Sequence, residues 1–257
     1  MPDLEVQGSG IFLSFSFLSE DTMKPLKLLA LAAALMVAQY ASAIGIGSLT
    51  TEMQENEFYV VKQIRNDDSI AKFVSTEVQE ITNPRQLTVL PEQKKDVLIS
   101  PATVFLPPHR TADVKIYYQG KRDDKERYYQ VSFVEQAVSS QSNISDGVSL
   151  SAKQRIRLSS ILVVRPRTIH FKFENGGNGH VKNIGNTFVH VTATGKCEEK
   201  GATEPRACSR STFLLPGESG DMRKEKGLVS LQGIGVWKGS DYQYFPMNAA
   251  PSKVVAK

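Results

Sequence analysis

Few side chains in this sequence are spaced for chemistry. His109, His170, His180 and His190 stand at no metal-ligand spacing. There is no G-x-S-x-G elbow, no H-E-x-x-H and no phosphate-binding loop. Gly233-Ile234-Gly235 with Gly239 falls one residue short of a dinucleotide fingerprint, and no helix pattern follows. The acid pairs Asp67-Asp68 and Asp123-Asp124 lie in turns, where carboxylates bond local backbone. Cys197 and Cys208 are the only cysteines, in a polar Gly/Pro-containing stretch. They read as a local disulfide, stabilising by about 3 kcal/mol through loop entropy. Two thiols with no nearby His do not make a metal site. The sequence offers no catalytic residue, no metal site and no cofactor motif, so an enzyme is not expected.

One pattern does suggest an activity. In Val148-Ser149-Leu150-Ser151-Ala152, apolar residues alternate with serine. They open an extended segment from Gly147 to Val164. About 17 residues of strand would span roughly 55 Å, more than a small domain needs. The first part should therefore lie at a sheet edge or project past it. A projecting edge with an apolar row is an aggregation hazard unless it has a use. One use is β-augmentation, in which an incomplete partner sheet pairs with the strand and takes its side chains as core. A bent last strand of an ordinary domain is the plain alternative.

The surrounding sequence supplies strands and turns. Phe58–Ile64 is β-rich and ends at Asn66-Asp67-Asp68. Ala71–Glu80 follows, with Phe73 on one face and Val74 and Val78 on the other. Val97–Ile99, Thr103–Leu106 and Val114–Tyr118 are short apolar runs stopped by proline or Gln-Gly. Lys121–Arg127 reads as a solvated charged loop. In Tyr128–Glu135, Tyr129, Val131 and Phe133 share a face against Gln130 and Ser132, the period of a half-buried antiparallel strand. Arg165-Pro166-Arg167 marks a domain boundary. Beyond it come Ile169–Phe173, a Gly/Asn turn over Asn175–Gly179, Thr187–Ala193, Phe213–Leu215 and Leu228–Trp237. Asn248–Lys257 reads as a frayed tail. The spacing predicts an all-β chain of two β-sandwiches, residues 44–165 and 168–257.

Residues 1–43 read as an upstream extension plus an export signal. Met23-Lys24-Pro25-Leu26-Lys27 is a basic start, Leu28–Ala38 an apolar run, and Ala41-Ser42-Ala43 a signal-peptidase site. The run is short for a membrane span, which needs about 20 residues. Glu20 and Asp21 do not suit a signal, so Met23 is the expected start and Ile44 the expected mature N-terminus. Of 257 residues, removing 43 leaves 214. The 31 basic and 27 acidic residues lose Lys24 and Lys27, and Asp3, Glu5, Glu20 and Asp21. The remaining 29 and 23 give a net charge near +6, spread without a Lys/Arg block. Nucleic acid is therefore not an expected partner.

Asp96–Pro108, Lys125–Glu135 and Ile161–Arg167 resemble the periplasmic fimbrial chaperones of the chaperone–usher pathway. Their order matches: a Pro-bounded hairpin, an R-x-Y-x-V-x-F type strand, a loop, and a long strand into the linker. Lys182–Thr187 and Leu214–Gly217 resemble elements of that family's second domain. The likeness covers residues 44–240 and is nearest to the alternate-class branch, whose members also carry a Cys pair in domain two. It implies two immunoglobulin-like β-sandwich domains in an L or boomerang arrangement, a periplasmic location and no ATP. It implies donor-strand complementation of pilin subunits and their delivery to an outer-membrane usher, with no membrane insertion after signal cleavage. By matching position, Val148, Leu150 and Ala152 are the donor side chains, with Ile156 a fourth. The family holds the pilin C-terminal carboxylate with basic residues, for which Lys62 and Arg157 are the candidates, and Arg155 and Lys153 the alternatives. The sequence departs from the better-known branch, because Gly45–Glu57 holds no Arg or Lys. Other functional classes to weigh are a structural or adhesive pilus subunit and a secreted carbohydrate-binding module. The first would want a single incomplete sandwich with a free N-terminal extension. The second would want exposed aromatics, for which Tyr242 and Tyr244 near Trp237 are the nearest candidates.

Overall fold

The computed structural model describes residues 43–138, 155–198, 201, 203–247 and 252–255. Ala43–Lys257 forms one compact unit. The β-branched and aromatic runs become β1 (Thr50–Met53), β2 (Tyr59–Arg65), β3 (Lys72–Ile81), β4 (Val97–Ser100), β5 (Thr103–Leu106), β6 (Thr111–Tyr118), β7 (Arg127–Ala137) and β8 (Arg155–Val164). A five-stranded sheet, ordered β1-β8-β7-β3-β5, faces a three-stranded sheet, β2-β6-β4. Between them lie Ile64, Val74, Leu106, Val114, Tyr129, Val131, Phe133 and Leu162. The period-two pattern explains the pairing: on β3, Val74 is fully buried while Phe73 is half exposed. On β7 the expected face of Tyr129, Val131 and Phe133 is the core face. Ser132, on the opposite face, is buried too, its hydroxyl 2.9 Å from that of Ser159.

The N-terminal segment serves both sheets. Gly45 bridges to Arg65 of the small sheet, and from Thr50 the chain pairs parallel with β8. Gly47, with φ of +66°, allows the crossing between them.

The second sandwich contains β9 (Lys172–Gly177), β10 (His180–Asn183), β11 (Val189–Cys197), β12 (Arg206–Leu214), β13 (Ser219–Asp221), β14 (Leu228–Lys238), β15 (Asp241–Pro246) and β16 (Ser252–Val255). Its sheets are β13-β10-β9-β16 and β12-β11-β14-β15. Phe173, Val189, Val191, Ala193, Ile234 and Val236 fill the space between them. The turn at Gly177–Gly179 sits within the expected Gly/Asn stretch, and all three of its residues have positive φ. The frayed tail is corrected at Ser252–Val255: these residues pair antiparallel with β9, whose outer edge offers them a ladder. Gly233 and Gly235 lie under the rings of Tyr244 and Tyr242, which an added Cβ would meet at about 2.1 and 2.2 Å. Their lack of a side chain lets the aromatic rings lie flat on the strand. Among the described residues there is no α-helix, only a 3-10 turn at Met222–Lys224. No helix among them is long and apolar enough to cross a membrane.

Candidate functional site

β8 has one fully paired side and one that is only partly paired. Along its whole length it pairs antiparallel with β7, from Gln136↔Arg155 to Arg127↔Val164. On the other side β1 covers only Ile161–Val164. The Ile161 N–H donates to Leu49 O at 2.8 Å and the Arg165 N–H to Met53 O at 3.0 Å, so odd-numbered backbone groups face this side. Those of Arg155, Arg157 and Ser159 therefore point outward, with no ladder partner among the described residues. Among the described residues this is an open sheet edge six residues long, ending where β1 begins.

Burial along β8 changes in step with the edge. Leu162 and Val164 are buried, Leu158 packs partly against the core, and Ile156 is half buried. Even-numbered side chains form the core-facing row, so Ile156 stands in line with Leu158. Val148, Leu150, Ala152 and Lys153 lie outside the described residues.

The two basic candidates sit on different faces. Lys62 of β2 points between the sheets, and its side chain is buried. Its ammonium donates to the carbonyl of Ser48 and, at 3.2 Å, to Thr51 Oγ1. Both acceptors belong to the segment where the N-terminal chain meets the β8 edge. Burial lowers the Lys62 pKa from its ordinary value. Arg157 stands on the outer face of the large sheet, half exposed, with Nη1 2.7 Å from Glu77 Oε2. Arg155 is exposed on the same face. The structure thus holds Lys62 and Arg157 against separate partners.

Next to this edge lies the joint between the sandwiches, and here sequence reasoning missed the central residues. Arg165 directly follows β8, with its side chain buried. Its guanidinium reaches Glu52 Oε2 at 2.8 Å and Glu126 Oε2 at 3.2 Å, and lies 4.0 Å over the Phe188 ring. Glu126 also accepts the Phe188 N–H at 3.0 Å and the hydroxyls of Thr187 and Tyr128. Burial, and after it the Glu126 charge, raises the Tyr128 pKa well above the phenol range. Ile81, Tyr128 and Val163 pack with Leu215 across the joint. Lys121–Arg127 is only in part the solvated loop expected: Lys121, Arg122, Asp124 and Lys125 are exposed, while Glu126 and Arg127 turn inward. Asp123 O accepts the Arg167 N–H at 2.9 Å, and Asp124 accepts Thr168 N at 3.2 Å. Partners some 40 to 60 residues distant in sequence leave no local signature.

The joint opens into a cleft of about 530 Å³ lined by Glu52, Arg165, Phe188, His190, Phe213 and Trp237. Phe213, His190, Trp237 and Tyr242 occupy directly paired positions on β12, β11, β14 and β15. Their rings form a row, with centroids 4.8, 6.2 and 4.7 Å apart. Of Tyr242 and Tyr244, the exposed aromatic candidates near Trp237, Tyr242 is the outer end of that row. Burial lowers the His190 pKa. His180 Nε2 lies 3.0 Å from Arg223, and His109 occupies a turn with positive φ. No cluster of three or more potential metal ligands occurs among the described residues. Cys197 and Cys208 form the expected disulfide, bridging β11 and β12.

The fold is that of two immunoglobulin-like sandwiches, the first ending in a strand with a half-open edge. The solved class 5 fimbriae chaperone CfaA superposes with a TM-score of 0.50, over 81% of this chain and 100% of that one at 14% identity. That likeness shows the fold. The EcpB C-terminal domain family matches residues 170–245. "Probable fimbrial chaperone EcpB" of Klebsiella pneumoniae (strain 342) is 30% identical over 222 residues, 84% of this chain and 96% of that protein. The protein so named in Escherichia coli O7:K1 (strain IAI39 / ExPEC) is 27% identical over the same coverage. The chain belongs to the EcpB family of fimbrial chaperones.

Proposed function

We propose that the protein is exported to the periplasm, loses its signal after Ala43, and there caps pilus subunits by donor-strand complementation before passing them to an outer-membrane usher. The observation that carries this reading is the outer edge of β8. It lacks a partner at Arg155–Ser160 among the described residues, immediately before β1 covers Ile161–Val164. A guest strand running parallel to β8, as β1 does, would end against Thr50. Upstream, the Val148, Leu150 and Ala152 side chains, with Ile156, would fill the groove of the incomplete subunit. Each Val or Leu so buried contributes about 1.5–3 kcal/mol.

Lys62 then has a part to play. Its buried ammonium is bonded to two neutral oxygens, of Ser48 and Thr51, close to where the guest chain would finish. An ammonium with no anionic partner is an unbalanced charge in a dry place, and a C-terminal carboxylate would balance it. Arg157 would have to exchange Glu77 for the guest, so it is the second anchor. Residues 44–165 form the subunit-binding domain, and residues 168–257 support it.

The test is co-expression with a fimbrial subunit in the periplasm, scored by recovery of a 1:1 complex. Leu150→Asp and Lys62→Met should each lower recovery at least tenfold while the variant's own denaturation midpoint does not fall. Undiminished recovery with Leu150→Asp would remove the donor-strand role, and with Lys62→Met the anchor.

A further inference from the structure

One strand in from the open part of β8, where Glu135 of β7 pairs with Ile156, the first core residue of the described chain touches a buried charge. Ile44 is buried, and its backbone N lies 2.8 Å from Glu135 Oε2. Glu135 sits on β7 with its side chain 5% exposed. Lys72 of β3, equally buried, approaches the same carboxylate at 3.3 Å and Asp68, in the preceding turn, at 3.6 Å. Arg65 and Asp67, the next charged groups, pair with each other at 2.9 Å. The chain is fixed directly after Ile44, because Gly45 and Arg65 exchange backbone hydrogen bonds at 2.7 and 2.8 Å. The Ile44 side chain enters the core of the first sandwich. Ala43, the residue before it, is half exposed.

We propose that signal removal completes this fold: the new α-ammonium of Ile44 forms a buried ion pair with Glu135. The inference rests on the reading that cleavage follows Ala43. In that step water hydrolyses the Ala43–Ile44 peptide bond, its hydroxyl going to the Ala43 carbonyl carbon and a proton to the Ile44 nitrogen. The amine takes a further proton at neutral pH, since free α-amines titrate near 7.7–8.0.

Before cleavage the Ile44 nitrogen is a neutral amide with one N–H. The acids Glu135 and Asp68 then have Lys72 as the cation between them. After cleavage the same nitrogen carries a full charge and three donors, and two cations face two anions. Charge-assisted hydrogen bonds are roughly twice as strong as neutral ones. The gain falls where the N-terminal segment joins the small sheet, so the uncut chain lacks this contribution to its folded state. A looser precursor suits a chain that must cross a membrane before it folds.

The test uses the protein purified from the periplasm after export of the full chain. Its N-terminal residue is first identified by mass. Acylation of the α-amine by limiting acetic anhydride is then compared with that of the same protein unfolded in urea at the same pH. The proposal expects an Ile44 terminus that acylates at least tenfold more slowly when folded, and Glu135→Gln should restore most of that rate. A second variant, exported behind a signal that leaves Ala43 attached, should show a lower urea midpoint than the Ile44-terminated protein. If the terminus is Ile44 but its amine acylates as fast as in the unfolded chain, the ion pair is overturned and the cleavage reading stands. A terminus at any other residue overturns both.

Discussion

Replacing Arg165 with alanine would leave Glu126 buried in the joint without its cation. Glu126 has a side-chain exposure of 1% and Arg165 of 7%, so neither charge is well hydrated. Removing one partner of a buried ion pair costs about 3–5 kcal/mol, because the remaining charge keeps its desolvation penalty. The stacked Phe188 ring adds about 0.5–2 kcal/mol, overlapping with that figure because the contacts share one side chain. Glu52 contributes less, being one-third exposed. A loss of about 3–5 kcal/mol is therefore expected for Arg165→Ala. It should appear as loss of coupling between sandwiches, with urea unfolding splitting into two transitions. Trp237, the one tryptophan, lines the cleft beside Arg165, so its fluorescence follows the joint and the second sandwich while far-UV dichroism follows both. The converse substitution sharpens the test. Arg165 Nε is buried with no hydrogen-bond partner among the described residues, so the native pair is imperfectly satisfied. The double change Arg165→Met with Glu126→Gln should lie within about 1 kcal/mol of the wild type, since it removes both buried charges while the Gln carbonyl can still accept the Phe188 N–H. If Arg165→Ala costs less than about 1 kcal/mol and unfolding stays a single transition, the joint does not depend on this charge.

Asp123 and Arg127 form a two-pronged pair at 2.7 and 2.8 Å, and that hydrogen bonding lowers the Asp123 carboxyl from 3.8 to about 2. A depressed carboxylate pKa means the folded form binds fewer protons, so the contribution is complete above about pH 4 and is lost as pH falls toward 2. Asp123→Asn should lower the denaturation midpoint at pH 7 and match the wild type at pH 2; an equal deficit at both values would assign the loss to something other than this titration. Replacing Cys197 and Cys208 together with serine should cost about 3 kcal/mol in urea titrations, the loop-closure estimate for partners 11 residues apart. Reducing the wild type with dithiothreitol should give a similar loss, and no change in either experiment would mean the loop is held by its strands alone.

The periodic part of the fold was legible. β3, β4, β5, β6, β7 and β14 form where alternation or a short apolar run predicts them, because a strand with one buried face must repeat every two residues. β1 was not legible: Thr50–Met53 has no alternation of its own and exists because β8 offers it a parallel edge. β16 is similar, a short segment made into a strand by the edge of β9. The glycines near residue 235 look like the start of a phosphate loop in one dimension. In three dimensions they are flat ground beneath two tyrosines of the next strand.

The site divides along the same line. The apolar row Val148, Leu150 and Ala152 is a local pattern that can be read from sequence, and it lies outside the described residues. The charges are different, because their meaning depends on partners far away in the chain. Arg165 and Glu52 are 113 residues apart, and Ile44 and Glu135 are 91 apart. On paper each is one of many evenly spread charged residues or the end of a signal site. Lys62 shows why burial matters more than charge for finding a binding group. Arg157, the more obvious candidate on the long strand, already has Glu77 and is half exposed, whereas Lys62 is desolvated with neutral acceptors. An anion gains most where a cation is least satisfied, so on the proposed reading the less conspicuous lysine would make the stronger anchor.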